Sequence, residues 1–238
     1  MPKGREPTGP KNTSHSVVEF LNQVAVTNES AQGQTKGRLV FAMDATASRG
    51  ATWDHAIDIQ SEMFSEASAL GGLDVQLVYY KGFGEFDACS WNSNAATMIK
   101  LMSSVSFASG RTQIQRVLLH TIDETKKKRV NALVFVGDSM EENIDWLADS
   151  AGRLGLLGVP VFLFQEGSID SVAASFRRIA HLSGGAYCQF DTSSPRKLRE
   201  FLKAVAIYAA GGRRAMIEYG VRKGGDIFLL TNQMDKGQ

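Results

Sequence analysis

Apolar and polar positions alternate between two patterns along the chain. Leu39 to Met43, Val75 to Tyr80, Ala132 to Val136, Val159 to Phe164 and Ala186 to Phe190 are short, largely uninterrupted apolar runs, as expected of strands covered on both faces. Between them the apolar residues fall at helical spacing. Trp53, Ala56, Ile57, Met63, Phe64 and Ala67 follow the first run, and Ile114, Val117, Leu118 and Ile122 precede the third. Ile144, Leu147, Ala148 and Ala151 follow the third, and Ile169, Val172, Phe176, Ile179 and Ala180 the fourth. Leu198, Phe201, Leu202, Val205 and Tyr208 form a last helical stripe, opened by Ser194-Pro195. A weaker helical pattern runs through Ala95, Met98, Ile99 and Met102. Gly82-Phe83-Gly84 is a tight connection, after which Phe86 and Ala88 alternate with Asp87 and Cys89. That stretch predicts an antiparallel strand at a sheet edge. The class is α/β: a doubly wound, mostly parallel sheet with one antiparallel edge strand and helices on both faces.

Residues 37–211 hold this alternation. Residues 1–36 read as a flexible tail, a short amphipathic helix and a linker, the helix opened by Ser16-x-x-Glu19 with Val17, Phe20, Leu21 and Val24 on one face. Residues 212–238 read as a C-terminal extension, where Ile227 to Leu230 suits either a short strand or an apolar tail patch.

Composition narrows the function classes. The 238 residues carry a formal net charge of +1 and 43% hydrophobic residues, which favours one folded core and does not favour a polyanion partner. No run approaches a membrane span, and the polar start lacks the apolar core of a secretory signal, so the expected compartment is the cytoplasm. Cys89 and Cys188 are too few for a disulfide scaffold and are expected to act as small buried hydrophobes. His15, His55, His120 and His181 form neither a zinc-binding pair nor part of a nucleophile motif. The basic cluster Lys126 to Arg129 ends a helix, where it complements the dipole. No phosphate-binding loop occurs, and Gly82-x-Gly84 lacks the third glycine of a dinucleotide fingerprint.

Candidate chemistry sits where apolar runs end. The first run stops at Asp44, within Asp44-x-Thr46-x-Ser48, and the third stops at Asp138. Thr112 lies in the loop before the helix that leads into the third run. If the first and third runs are neighbouring strands at the switch point of the sheet, their carboxyl ends and these residues face one cleft. Asp44, Thr46, Ser48, Thr112 and Asp138 then offer two carboxylates and three hydroxyls. Such hard oxygen donors suit Mg²⁺ or Mn²⁺ and suit zinc or copper poorly. Helix capping accounts for the first loop alone, but not for the equivalent placement of Thr112 and Asp138.

This arrangement resembles the von Willebrand factor A (VWA) domain over roughly residues 37–210. Its metal-ion-dependent adhesion site (MIDAS) combines an Asp-x-Ser-x-Ser motif, a threonine from a second loop and an aspartate from a third. The resemblance implies a Rossmann-like fold, Ser48 and Thr112 as hydroxyl ligands, Thr46 in place of the first serine, and Asp44 and Asp138 as acids binding the ion directly or through water. Among the family the chain looks most like stand-alone bacterial intracellular members. Thr46 and Gln115, the latter where the family often has glycine, depart from the pattern.

Two functions follow as expectations. The first is a non-enzymatic module in which the ion accepts an Asp or Glu side chain from a partner protein. The alternative is magnesium-dependent phosphoryl transfer with Asp44 as nucleophile, although Thr46 stands where that chemistry commonly needs a second aspartate. Glu141 and Glu142 read as dipole partners in the first turn of the helix they open, and Arg49 and Arg111 as solvated residues near the site.

Overall fold

A computed structural model describes residues 36–46, 50–191, 195–223 and 227–234. The expected amino-terminal helix and Ser48 lie outside these residues. The chain forms β1 (Gly37–Asp44), α1 (Gly50–Ser68), β2 (Leu73–Lys81), β3 (Glu85–Ala88), α2 (Ala95–Ser103), α3 (Ile114–Lys127) and β4 (Ala132–Gly137). It continues through α4 (Ile144–Leu156), β5 (Val161–Glu166), α5 (Asp170–Ser183), β6 (Ala186–Phe190), α6 (Pro195–Lys223) and α7 (Ile227–Met234). No described helix is long and apolar enough to cross a membrane.

The strands form a six-stranded sheet in the order β3-β2-β1-β4-β5-β6. All neighbours are parallel except β2 and β3. From β1 the chain winds outward to β2 and β3, then returns to place β4 on the other side of β1, which puts the switch point between β1 and β4.

Strand alternation divides the core. Leu39, Phe41 and Met43 of β1 meet residues of α1, α2, α6 and α7 on one face. Val40 and Ala42 meet α3, α4 and α5 on the other. All five are fully buried, and burial of each larger side chain contributes roughly 1.5–3 kcal/mol. That two-sided burial is why the strand reads as an unbroken apolar run. Cys188 is buried in the first cluster and Cys89 packs partly buried against it.

Among the described residues, each sheet edge carries a feature that hinders further pairing. Exposed Glu85 and Asp87 blunt the short β3. At β6, the Gln233 side chain accepts the Tyr187 N–H at 2.8 Å and donates to the Tyr187 carbonyl at 2.9 Å, taking the place of a further strand.

The carboxyl-terminal stretch settles into helix. Ile227 to Leu230 is neither strand nor loose patch but the first half of α7, with Ile227, Leu230 and Met234 buried. The weakening of the pattern at Gly211-Gly212 marks a kink, where Gly212 takes φ 72° and ψ −171° inside α6. Beyond it Met216 and Tyr219 still reach the core.

Candidate metal site at the carboxyl ends of β1 and β4

Asp44 is the last residue of β1 and is fully buried. It follows Val40 and Ala42 onto the α3–α5 face by strand alternation. Its Oδ1 accepts the Thr46 N–H at 2.8 Å, a local turn that fixes the carboxylate's orientation. Met43 pairs with Val136 in register, which sets Asp44 beside Gly137. A Cβ added at Gly137 would lie 3.9 Å from the Asp44 Cβ. Asp138 follows directly and is half-buried. Two acids therefore stand at adjacent strand ends, at the switch point.

Thr112 is 7% exposed, and its Oγ1 accepts the Glu141 N–H at 3.0 Å. This contact joins the loop before α3 to the loop after Asp138. A hydroxyl oxygen engaged once in this way retains a second lone pair, as a cation ligand requires.

A second stitch joins the same loops. Glu142 does not open its own helix; α4 starts at Ile144 behind the N-cap Asn143, whose side chain accepts the Asp145 N–H. Instead the Glu142 carboxylate accepts the Ile114 and Gln115 N–H groups at 2.6 and 2.8 Å. It thus caps α3, whose own N-cap Gln113 makes no side-chain cap bond. Gln113 is turned elsewhere, donating to the carbonyls of Lys81 and Glu85 at 3.3 and 3.1 Å. Acid and dipole do pair, as expected of Glu142, but across loops rather than within one helix.

Backbone bonds bring the remaining segments together. Ala45 N–H donates to the Tyr80 carbonyl at 2.9 Å and Ala108 N–H to the Ala45 carbonyl at 3.3 Å. Arg111 N–H donates to the Gly82 carbonyl at 3.0 Å. Gly110 lies so close to Gly82 that an added Cβ would fall 1.8 Å from the Gly82 oxygen. Further along the strand ends, the Thr52 hydroxyl donates to the Glu166 carboxylate, tying the start of α1 to the end of β5. None of these cross-loop contacts carries a sequence signal, because each joins residues far apart in the chain.

Of the expected ligands, Asp44, Thr46, Thr112 and Asp138 lie among the described residues, at or just beyond strand ends or in the loop tied to them. The donor chemistry fits a hard divalent cation: a fully buried carboxylate, a second carboxylate on the neighbouring strand end, and hydroxyls alongside. Among the described residues no group of three or more His, Cys, Asp or Glu side chains forms a metal cage. Any ion here would depend on the hydroxyl donors.

No family model matches the chain, and no curated protein matches it in sequence. Solved structures do. The von Willebrand factor type A protein from Catenulispora acidiphila superposes with a TM-score of 0.58 at 12% identity, over 74% of this chain and 43% of that one. The SpRpn10 VWA domain gives 0.54 at 10% identity, over 72% of this chain and 95% of the domain. The chain has the von Willebrand factor A fold. The VWA fold is shared with proximal thread matrix protein 1 from the mussel byssus, solved with a zinc-occupied MIDAS motif. That match has a TM-score of 0.53 at 14% identity, over 80% of this chain and 52% of that one. The zinc belongs to the byssus protein; at identities of that size the structural match shows the fold alone.

Proposed function

We propose that this VWA-fold chain is a metal-dependent protein-binding module and not an enzyme. A divalent cation, Mg²⁺ or Mn²⁺, is held by Asp44, Thr46, Ser48, Thr112 and Asp138, and a partner protein supplies an Asp or Glu carboxylate to complete its coordination. The observation that carries this reading is the fully buried Asp44 carboxylate at the switch point beside the strand end bearing Asp138. A carboxylate so placed, with a second acid on the neighbouring strand end and hydroxyls alongside, is the hard-oxygen donor set such a cation takes. Two carboxylates neutralise a divalent ion and leave it able to take one more anion.

The stitched loops support a binding role. Thr112 and the segment after Asp138 are locked together through Glu141 and Glu142, so the hydroxyl and the acid are pre-positioned before any ion arrives. Phosphoryl transfer is less well supported, because Asp44 is fully buried and its Oδ1 is turned onto Thr46. A nucleophile needs an exposed lone pair and a general acid within reach.

Affinity capture from the source lysate with the full chain as bait tests the proposal. Recovery of a partner is expected with Mg²⁺ and lost with EDTA or with Asp44→Ala combined with Asp138→Ala. Equal recovery in all three conditions would refute metal-dependent binding.

A further inference from the structure

We propose that the chain self-associates as a two-fold dimer through the outer face of α4, with Trp146 of each copy on Leu156 of the other and Asp149 against Arg153. The proposal does not depend on the metal site.

α4 turns Leu147, Ala148, Ser150, Ala151 and Leu154 into the domain. Its opposite face carries Trp146, Asp149, Arg153 and Leu156, all exposed and spaced three, four and three residues apart. That spacing makes the narrow stripe by which one helix packs along another. Its apolar members serve nothing within the domain: Trp146 is 62% exposed, Leu156 is 92% exposed, and neither packs into an apolar cluster. Beside Leu156 lies an open cavity of about 360 Å³, bounded also by Gly152 and Leu182, with room for an indole ring. Gly152 is unexplained in the same way. A glycine inside a helix is less stable than alanine, yet a Cβ built at Gly152 meets nothing within 4 Å among the described residues. A second helix crossing at this level gives its small size a use, because the axes can approach more closely there.

The order of residues along the stripe identifies the occupant. From either end it reads apolar, charged, charged, apolar, with the acid in one half and the base in the other. An antiparallel copy centred at the level of Ala151 sets Trp146 against Leu156 and Asp149 against Arg153, each pair occurring twice, as an isologous contact requires. Parallel pairing in register would set each charge against its like. The flanks have the same sense. Exposed Glu141 lies before the start of α4, and Arg129 lies past its end, with Nη2 3.9 Å from a Cβ built at Gly158. Asp145 is already matched by Arg178 of α5 at 3.2 Å. Within one copy Asp149 and Arg153 stand 3.9 Å apart, a long, exposed pair that can engage a second copy. Opposed charges fix register and orientation, while the Trp146 and Leu156 layers supply the affinity. The contact is one helix wide and about 15 Å long, at the small end of protein interfaces, so the dimer is concentration-dependent.

The test is sedimentation velocity of the full chain over a rising concentration series, with melting curves to show that each exposed substitution leaves the fold intact. Wild type is expected to pass from monomer to dimer. Asp149→Arg alone and Arg153→Asp alone should each weaken association about tenfold or more. An equimolar mixture of these two variants should dimerise again, because each supplies the charge the other lacks, and so should the double swap in one chain. Trp146→Ser should weaken association, whereas Val221→Ser, an exposed apolar position on α6 (68% exposed), should not. A wild type that stays monomeric up to about 1 mM would overturn the proposal. So would a dimer that survives both single reversals, or one that the mixture and the double swap fail to restore.

Discussion

Replacing Glu142 with Ala removes the stitch between the loops that bear Thr112 and Asp138, and its cost follows from the contacts. Two N–H groups of α3, on Ile114 and Gln115, lose acceptors at 2.6 and 2.8 Å. Gln113 provides no side-chain cap to replace them. Loss of a helix cap costs about 1 kcal/mol and at most about 2, and a charged acceptor near a helix amino terminus adds up to about 1 kcal/mol. A loss of about 2 kcal/mol is expected, which for a domain of this size lowers Tm by roughly 4–8 °C. Glu142→Gln keeps one acceptor oxygen and should lose about half as much. Differential scanning calorimetry of the three proteins measures both values, and Mg²⁺ titration of each should show weaker binding in the order wild type, Gln, Ala. An unchanged Tm in Glu142→Ala would refute the stitch as a stabilising element. An unchanged Mg²⁺ affinity would refute its role in positioning Thr112.

Gly110→Ala forces a Cβ into the Gly82 carbonyl; overpacking of this kind costs typically 1–3 kcal/mol, so its urea midpoint should fall, and a wild-type midpoint would mean the two loops are not stapled. Burial alone would raise the Glu124 carboxyl, but hydrogen bonds from Lys127 at 2.7 Å and Trp91 at 2.8 Å, with the charge of Lys127, hold it below its ordinary value of 4.5. Its contribution is therefore complete above that value and is lost as pH falls through the lowered one, so wild type should exceed Glu124→Gln in urea stability at neutral pH and converge with it in acid. A constant difference at all pH values would contradict this ionisation.

Most of the fold is legible from the apolar pattern because five parallel strands are covered on both faces. Leu39 to Met43 and Ala132 to Val136 read as unbroken runs for that reason, and their acids fall at the strand ends. Asp44, Thr112 and Asp138 can thus be nominated from position alone. Glu142 cannot be assigned from position, since its partners lie 28 and 27 residues earlier and its proximity to α4 suggests the wrong helix. Ile227 to Leu230 is ambiguous because four apolar residues carry no period that separates strand from helix; Leu230 and Met234, one helical turn apart and both buried, decide it only in three dimensions. Closure of β6 by the Gln233 amide is equally invisible, because an amide that imitates a strand has no sequence signature.

The central claim, a divalent cation at the carboxyl ends of β1 and β4, is tested most directly by thermal melting of wild type and Asp138→Ala with and without Mg²⁺ or Mn²⁺. An ion at about 100 times its Kd stabilises the folded state by about 2.7 kcal/mol, which for a domain of this size raises Tm by roughly 5–10 °C. The expected result is such a rise in wild type, absent from Asp138→Ala. An unshifted wild type, or an equal rise in both proteins, would contradict the site.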